Sequence, residues 1–450
     1  MAKSTEKQSD DREALKSALK TERDTDLRLA LADLHPADIA DVLESIPLDQ
    51  REKVFAQIDN ALIGEVLVEV SEGVRLNLLE NLDSQSLIAA AKTLDTDDVA
   101  DLIPDLPDEV IAEMLFAMDK QDRLRLDSVL SYPEDTAGGL MNVDTITVRN
   151  NITLEVVHRY LRRRGELPEN TNKLFVVDRD DSLLGTILIG DLLVNDPESR
   201  VSERMDAEPV SFEAMTSARE VAAAFERYNL VSAPVVDDKG KLIGRITVDD
   251  VVDVILEEAE HSVLAPAGLK EDEDLFAPVR SSIRSRAVWL GVNLVTAVIA
   301  SWVIGLFEDT LRSVIALAVL MPIVASMGGN AGTQTLTVVI RGLALGVITD
   351  SNARRVLIKE LLISVMNSMI WAVAVAIIAI IWYRMPGLGL VIALAMSVNL
   401  LVAALAGVSI PIVVRKIGID PALASGVMLT TITDVVGFFV FLGLASLILI

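Results

Sequence analysis

Residues 421–450 read PALASGVMLTTITDVVGFFVFLGLASLILI, thirty residues carrying a single charge, Asp434. A bilayer core takes about 20 apolar residues of helix to cross, so this stretch is long enough to span. Four more such stretches lie upstream, each without a charge: 385–414, 361–383, 313–340 and 287–307. Five in the last third of the chain predict five transmembrane helices rather than five buried core helices. The short connections between them are unevenly basic. Arg280, Arg284, Arg286, Arg341, Arg354, Arg355, Lys359, Arg415 and Lys416 fall on one side, and only Arg312 and Arg384 on the other. Short basic loops stay inside, which predicts a cytoplasmic N-terminal part and an outer C-terminus, in the cell (inner) membrane.

The part before the spans is strongly acidic. Residues 1–275 hold 60 acids and 29 bases, whereas residues 276–450 hold 6 and 11. Such a surface repels nucleic acid and draws cations, so no nucleic-acid partner is expected. There is no cysteine, which excludes disulfides, thiolate metal sites and cysteine nucleophiles. His35, His158 and His261 are far apart and form no ligand-spaced pair, which argues against zinc. Residues 1–20 contain no apolar run and do not read as a signal peptide. No Ser/His/Asp set, phosphate loop or catalytic metal motif is present, so an enzyme is not expected.

Two internal repeats organise the acidic part. Residues 34–55 and 94–115 coincide at an offset of 60 in Leu34/Leu94, Asp38/Asp98, Ala40/Ala100, Asp41/Asp101 and Pro47/Pro107. Helical apolar spacing with a proline after each first helix predicts stacked helical hairpins, a short superhelix. Residues 175–193 (FVVDRDDSLLGTILIGDLL) match 234–252 (PVVDDKGKLIGRITVDDVV) at an offset of 59. Each reads as strand, polar turn, strand and helix start.

Asp434 is the residue whose chemistry most needs explaining. A charge at the bilayer centre costs about 2.5–3.5 kcal/mol on insertion scales, so it normally faces protein or a wet pore. Thr430, Thr431 and Thr433 offer hydroxyls beside it, and Gly437 permits close helix approach. The second span contains MPIVASMGGNAGTQ, where Pro322, Gly328, Gly329 and Gly332 weaken a helix around Asn330. The expectation is a broken helix whose carbonyls coordinate ions, with the amide oxygens of Asn330 and Gln334 on one face. The small residues equally suit a tight helix contact. Asn399, Gly407 and Pro411 repeat the theme weakly in span four. Hard oxygen donors of this kind suit Mg²⁺, Ca²⁺ or Mn²⁺. One carboxylate compensates a divalent ion poorly, and a two-fold dimer would bring a second Asp434 to the same axis.

On these residues the chain resembles known families. The tandem repeat resembles a pair of CBS domains, which implies an adenosine nucleotide such as ATP, held at Gly244, Thr247 and Asp250; Leu188 takes the hydroxyl position in the first copy. Span two as P-x5-G-G-N-x-G-x-Q and span five as D-P-A-L-x-S-G-x3-T-T-x-x-D-x-x-G resemble the MgtE family of Mg²⁺ channels. The resemblance implies a multidomain integral membrane protein. A superhelical N domain (1–130), a CBS pair (131–253), a connecting or plug helix (254–280) and a five-helix transmembrane domain (281–450) follow in that order. It implies a lipid-embedded homodimer importing Mg²⁺ through a pore at Asp434, to which the residues' own chemistry adds Asn330, Thr431, Gln334, Gly328 and Gly329 as candidate ligands. Cytoplasmic Mg²⁺ would close it by binding the acidic domains.

Asp250, Asp253, Glu257 and Glu260 share one face of a helix, and like charges so placed repel unless cations bridge them. Asp97 and Asp101, one turn apart, are expected to face them. The family's regulatory positions carry over to Asp97, Asp101, Asp250, Asp253, Glu258 and Asp420, while Asn229 and His261 stand where the family has acids. Two rival readings stay open: a divalent-cation carrier or exporter (Mg²⁺, Mn²⁺, Co²⁺), and a membrane-anchored nucleotide sensor.

Overall fold

The computed structural model describes residue 15 and residues 24–32, 34–79, 82, 84–91, 93, 94, 96–168, 170–269, 274–349 and 351–450. The reading of residues 1–20 as lacking a leader therefore falls outside the described residues, Leu15 apart. The chain divides into two compact units, Met1–Ala259 with Asp272–Ala277, and Glu260–Glu271 with Pro278–Ile450.

The first unit begins with nine helices among the described residues. They are α1 (Asp24–Leu31), α2 (Pro36–Glu44), α3 (Leu48–Phe55), α4 (Ile63–Glu69), α5 (Glu72–Leu79), α6 (Ser84–Ala91), α7 (Thr96–Leu102), α8 (Asp108–Ala117) and α9 (Lys120–Val129). None exceeds ten residues. Helices so short are marginal alone and are held by packing. Ile39, Leu43, Val54, Val66, Leu67 and Leu126 are fully enclosed in the shared core. The repeat at offset 60 is structural. In both copies the proline (Pro47, Pro107) takes the N-cap of the second helix in extended conformation, so α2–α3 and α7–α8 are equivalent hairpins.

Arg51 of α3 has no solvent exposure, and its Nε donates to the Leu43 carbonyl at 2.7 Å. Its guanidinium grips both Asp274 oxygens (2.7 and 3.1 Å) and lies 5.9 Å from the Phe276 ring centre.

Two βαββα halves follow. β1 (Thr147–Arg149), α10 (Leu154–Arg164), β2 (Lys173–Val177), β3 (Leu183–Leu188), α11 (Ile189–Val194) and α12 (Val201–Arg204) form the first. β4 (Phe212–Glu213), α13 (Ala218–Tyr228), β5 (Ser232–Val236), β6 (Leu242–Thr247) and α14 (Val248–Leu264) form the second. Each sheet pairs its first two strands in parallel and its last two antiparallel. The irregularity falls at Val176/Val177 in one and Val235/Val236 in the other, offset 59 again. Asp178 and Asp237 each close the polar turn by accepting two backbone N–H bonds. The expected connecting helix is not separate: α14 starts at Val248 and runs on to Leu264 without a break.

The second unit holds α15 (Val279–Gly305), α16 (Glu308–Ser313), α17 (Ala316–Ala344), α18 (Ala353–Tyr383), α19 (Pro386–Lys416) and α20 (Pro421–Ile448). Five of these, all but α16, are long and apolar enough to cross a membrane. α19 is the hub, packing against α17, α18 and α20, with Leu388, Val391, Ile392 and Ala395 fully buried.

Three expectations about the spans are corrected. α17 is one continuous helix with Pro322 inside it, not a broken one. Its glycines serve close approach instead: a Cβ on Gly328 would lie 2.1 Å from Asn399 Nδ2, and one on Gly332 would lie 2.8 Å from Leu429 Cδ1. The unwound carbonyls that suggested Gly328 and Gly329 as ligands are therefore absent, because both residues lie inside regular helix. α18 starts eight residues before the charge-free run and takes in Lys359 and Glu360. Asp434 is thus not the sole carboxylate in a spanning helix. Glu360 is buried and accepts a 3.1 Å bond from Thr335 Oγ1.

Candidate functional site

Two groups of candidate residues fall in the two units. In the first unit, Asp97 and Asp101 stand one turn apart on α7, and Asp250 opens α14. Asp250 Oδ2 accepts from the backbone N and the hydroxyl of Thr247, both at 3.1 Å, while Asp249 accepts from the same hydroxyl. Asp97 accepts from Asn142 Nδ2 at 3.2 Å, and Asp249 from Asn170 Nδ2 at 2.6 Å. Asp97, Asp98, Asn142, Asn170, Arg245, Thr247, Asp249 and Asp250 line a cleft of about 90 Å³, which Asp101 does not reach.

The acids feel one another. Burial pushes the Asp101 carboxyl up to about 7; Arg75 opposes this, and Asp250, Glu134 and Glu257 add to it. Burial also pushes Asp250 up to about 7, helped by Asp97 and Asp249 and opposed by the Thr247 bonds. Asp253 is raised by burial, then by Glu69 and Asp249. The structure therefore brings Asp97, Asp101, Asp250 and Glu257 into one electrostatic neighbourhood. Glu258 is turned elsewhere and pairs with Arg219 at 2.6 Å. Among the described residues no three acidic or histidine side chains stand close enough to hold a metal as they are. Sequence reading missed Glu134, Glu69 and Arg75, which come from other elements.

A carboxyl raised from 3.8 towards 7 holds a proton that the unfolded chain has released. Its stabilising contribution is complete below about pH 4 and is lost as pH climbs through about 7. Thermal melts of the purified protein should therefore show the soluble unit weakening between pH 4 and 7, by on the order of a few kcal/mol for the coupled pair. Asp101→Asn should flatten that slope.

In the second unit, Asp420 caps α20, accepting from Ala422 N at 2.9 Å, and its other oxygen meets His261 Nε2. Asn229, the other departure from acid, adopts a left-handed conformation (φ 51°) at the end of α13. That role suits asparagine, whose short side chain tolerates positive φ.

The membrane candidates lie at the edge of the bundle. Asn330 and Gln334 are exposed on α17, and Thr431 and Asp434 are half-buried on α20. Thr431 donates its hydroxyl to Val427 O at 2.7 Å, leaving its oxygen lone pairs outward-capable. Asn330 Nδ2 donates to Ser326 Oγ at 3.3 Å. The opposite faces of the same helices, Gly328, Gly332 and Thr335 on α17 and Ser425, Leu429, Thr433 and Gly437 on α20, are buried.

Profiles for three families match this chain: a divalent cation transporter domain of the MgtE type over residues 321–444, the MgtE intracellular N domain over 34–135, and CBS domains over 137–197 and 201–257. The magnesium transporter MgtE of Bacillus subtilis is 30% identical over 421 residues, 94% of this chain and 93% of that protein. The chain belongs to the MgtE family of magnesium transporters. The MgtE of Thermus thermophilus is 31% identical over 97% of this chain and 98% of its own length. A solved cytosolic domain of the Mg²⁺ channel MgtE in complex with ATP shares 32% identity at a TM-score of 0.50, covering 54% of this chain and 99% of its own. Mg²⁺ is thus the transported ion, the N domain, CBS pair and membrane helices are those of the family, and its members are transporters, not enzymes.

Proposed function

We propose that this MgtE-family chain is a passive Mg²⁺ channel, importing Mg²⁺ down its electrochemical gradient as a homodimer in the inner membrane. The observation that carries this reading is that the polar Asn330 and Gln334 of α17 are exposed, and Thr431 and Asp434 of α20 only half-buried, on faces that a single chain leaves open. Lipid covers a carboxylate poorly, whereas a second copy facing the first across a two-fold axis would enclose water between two such faces. Mg²⁺ sheds its waters reluctantly and is usually held by one or two carboxylates, which matches a pair of Asp434 side chains and neutral oxygens around a hydrated ion. The excess of basic residues at one end of the spans supports cytoplasmic acidic domains and an outer C-terminus.

Closure by internal Mg²⁺ follows from the acidic neighbourhood. Asp97, Asp101, Asp250, Asp253 and Glu257 repel in the absence of cations, and Mg²⁺ between them would draw α7 and α14 together. Glu258 and Asp420 join that set only if they leave Arg219 and His261. Mg²⁺ influx into proteoliposomes with internal Mg²⁺ varied tests both parts. Influx is expected without any H⁺ or Na⁺ gradient and is expected to fall at least tenfold as internal Mg²⁺ saturates the acids. Influx that requires such a gradient would mean a coupled carrier.

A nucleotide at the CBS pair is the second reading, favoured by the ATP held by the related cytosolic domain. The residues here do not fit it in this arrangement. The cleft at Thr247 and Asp250 measures about 90 Å³ and is lined by four carboxylates, whereas small-molecule pockets run to roughly 300 Å³ or more. No step of the transport reading passes through a nucleotide.

A further inference from the structure

We propose that Asn399 is a positioning residue for ion passage, the spacer that sets the gap between α17 and α20. This rests on the reading of Asn330 and Asp434 as pore ligands. Asn399 lies on α19 and is 1% exposed. Its carboxamide is wedged where two glycines let three helices meet. A Cβ on Gly328 of α17 would lie 2.1 Å from Asn399 Nδ2, and a Cβ on Gly437 of α20 would lie 2.7 Å from the same atom. That nitrogen donates to Val324 O of α17 at 2.9 Å, while the amide oxygen is buried with no hydrogen-bond partner.

The location matters more than the packing itself. Lipid tails supply no hydrophobic drive between spans, so small-residue contacts and polar bonds of this kind decide how helices register. Asn330 follows Gly328 by two residues, about 3 Å along the axis, and Asp434 precedes Gly437 by three, about 4.5 Å. α20 is the third span after α17, an odd number of crossings, so the two run in opposite directions. Both displacements therefore go the same way from the level of Asn399, and the two ligands come level with each other. One carboxamide fixes the helix faces that carry them, without touching either.

Ion passage is sensitive to such placement, because ligands displaced by a single ångström no longer grip the same hydrated ion. Asn399→Ala should lower Mg²⁺ flux about tenfold and weaken the preference for Mg²⁺ over Ca²⁺ in proteoliposomes that hold the intact assembly. Gly328→Ala, whose methyl displaces the carboxamide, should do the same. The double variant Gly328→Ala with Asn399→Ala should be no worse than Asn399→Ala alone, since the methyl then enters the space the carboxamide left. Gly437→Ala gives a second route to the same cycle if Gly328→Ala fails to fold.

Wild-type flux and ion preference in Asn399→Ala would overturn the proposal. So would strictly additive losses in the cycle, or a lowered melting temperature with flux and preference unchanged per folded assembly. Asp434→Ala, run alongside, separates the two failures. Normal flux in Asp434→Ala removes the pore reading itself, whereas a dead Asp434→Ala beside an indifferent Asn399→Ala removes only the spacer.

Discussion

Mg²⁺ flux through Asp434→Ala is expected to fall roughly a hundredfold or more, which takes a loss of about 3 kcal/mol. Of the four polar residues proposed to line the ion path, Asp434 alone is charged; Asn330, Gln334 and Thr431 bring only dipoles. A divalent ion at membrane depth that loses its counter-charge loses a Coulomb attraction of several kcal/mol at an effective dielectric near 20, well above what the hundredfold fall needs. Asp434→Asn separates charge from shape. It keeps an oxygen dipole in the same rotamer space and should retain more flux than the alanine variant while losing most of the discrimination between divalent and monovalent cations. Radiotracer or fluorescent Mg²⁺ uptake into proteoliposomes reads both. Undiminished uptake in Asp434→Ala would place the ion path elsewhere, and the buried Glu360 beside Thr335 would then be the next carboxylate to replace.

The spans were legible because length and hydropathy alone decide whether a helix can cross a bilayer. The two repeats were legible because equal offsets preserve caps and turns: Pro47 and Pro107 start equivalent helices, and Asp178 and Asp237 close equivalent turns. What failed was any inference that needed a partner from another helix. Gly328 and Gly332 look like helix breakers in one dimension, yet their meaning is set by Asn399 and Leu429, far along the chain. Glu360 escaped notice because it stands one residue before the apolar run begins, although the helix and its burial begin earlier. The acidic face of α14 could be read from its 100° spacing. Glu69 acting on Asp253, Glu134 and the counter-charge Arg75 acting on Asp101 of α7, and the diversion of Glu258 to Arg219 belong to tertiary structure and leave no periodic trace. Asn229 reads as a lost acid in sequence and as a left-handed helix end in space, so its identity needs no missing ion to explain it.

Arg51→Ala is expected to destabilise the soluble unit by about 3–5 kcal/mol, the usual consequence of removing one partner from a buried ion pair. Few side chains here are so completely committed. The guanidinium is fully enclosed, bonds Leu43 O and both Asp274 oxygens, and lies against Phe276, while only 6% of the Asp274 side chain is exposed. For a unit of this size the change should lower the melting temperature by roughly 10 °C. Arg51→Lys should recover little, because an ammonium cannot make the paired contact to a carboxylate and reach the carbonyl as well. Acid should act in the same direction. Burial alone would raise the Asp274 carboxyl, but the bonds from Arg51 and Phe276 N outweigh it and hold it below the usual range. Its contribution is therefore present at and above ordinary carboxylate pKa values and is lost as pH falls below them, opposite in sign to Asp101 and Asp250. Asp274 stands five residues before Val279, where α15 begins, so this clasp ties α3 to the chain just before its first span. On the proposed closure by internal Mg²⁺, loss of the clasp should shift the internal Mg²⁺ level that halves influx, whereas a substitution at exposed Arg312 should leave that level unchanged. An Arg51→Ala protein that melts and closes like the wild type would show that the pair holds nothing.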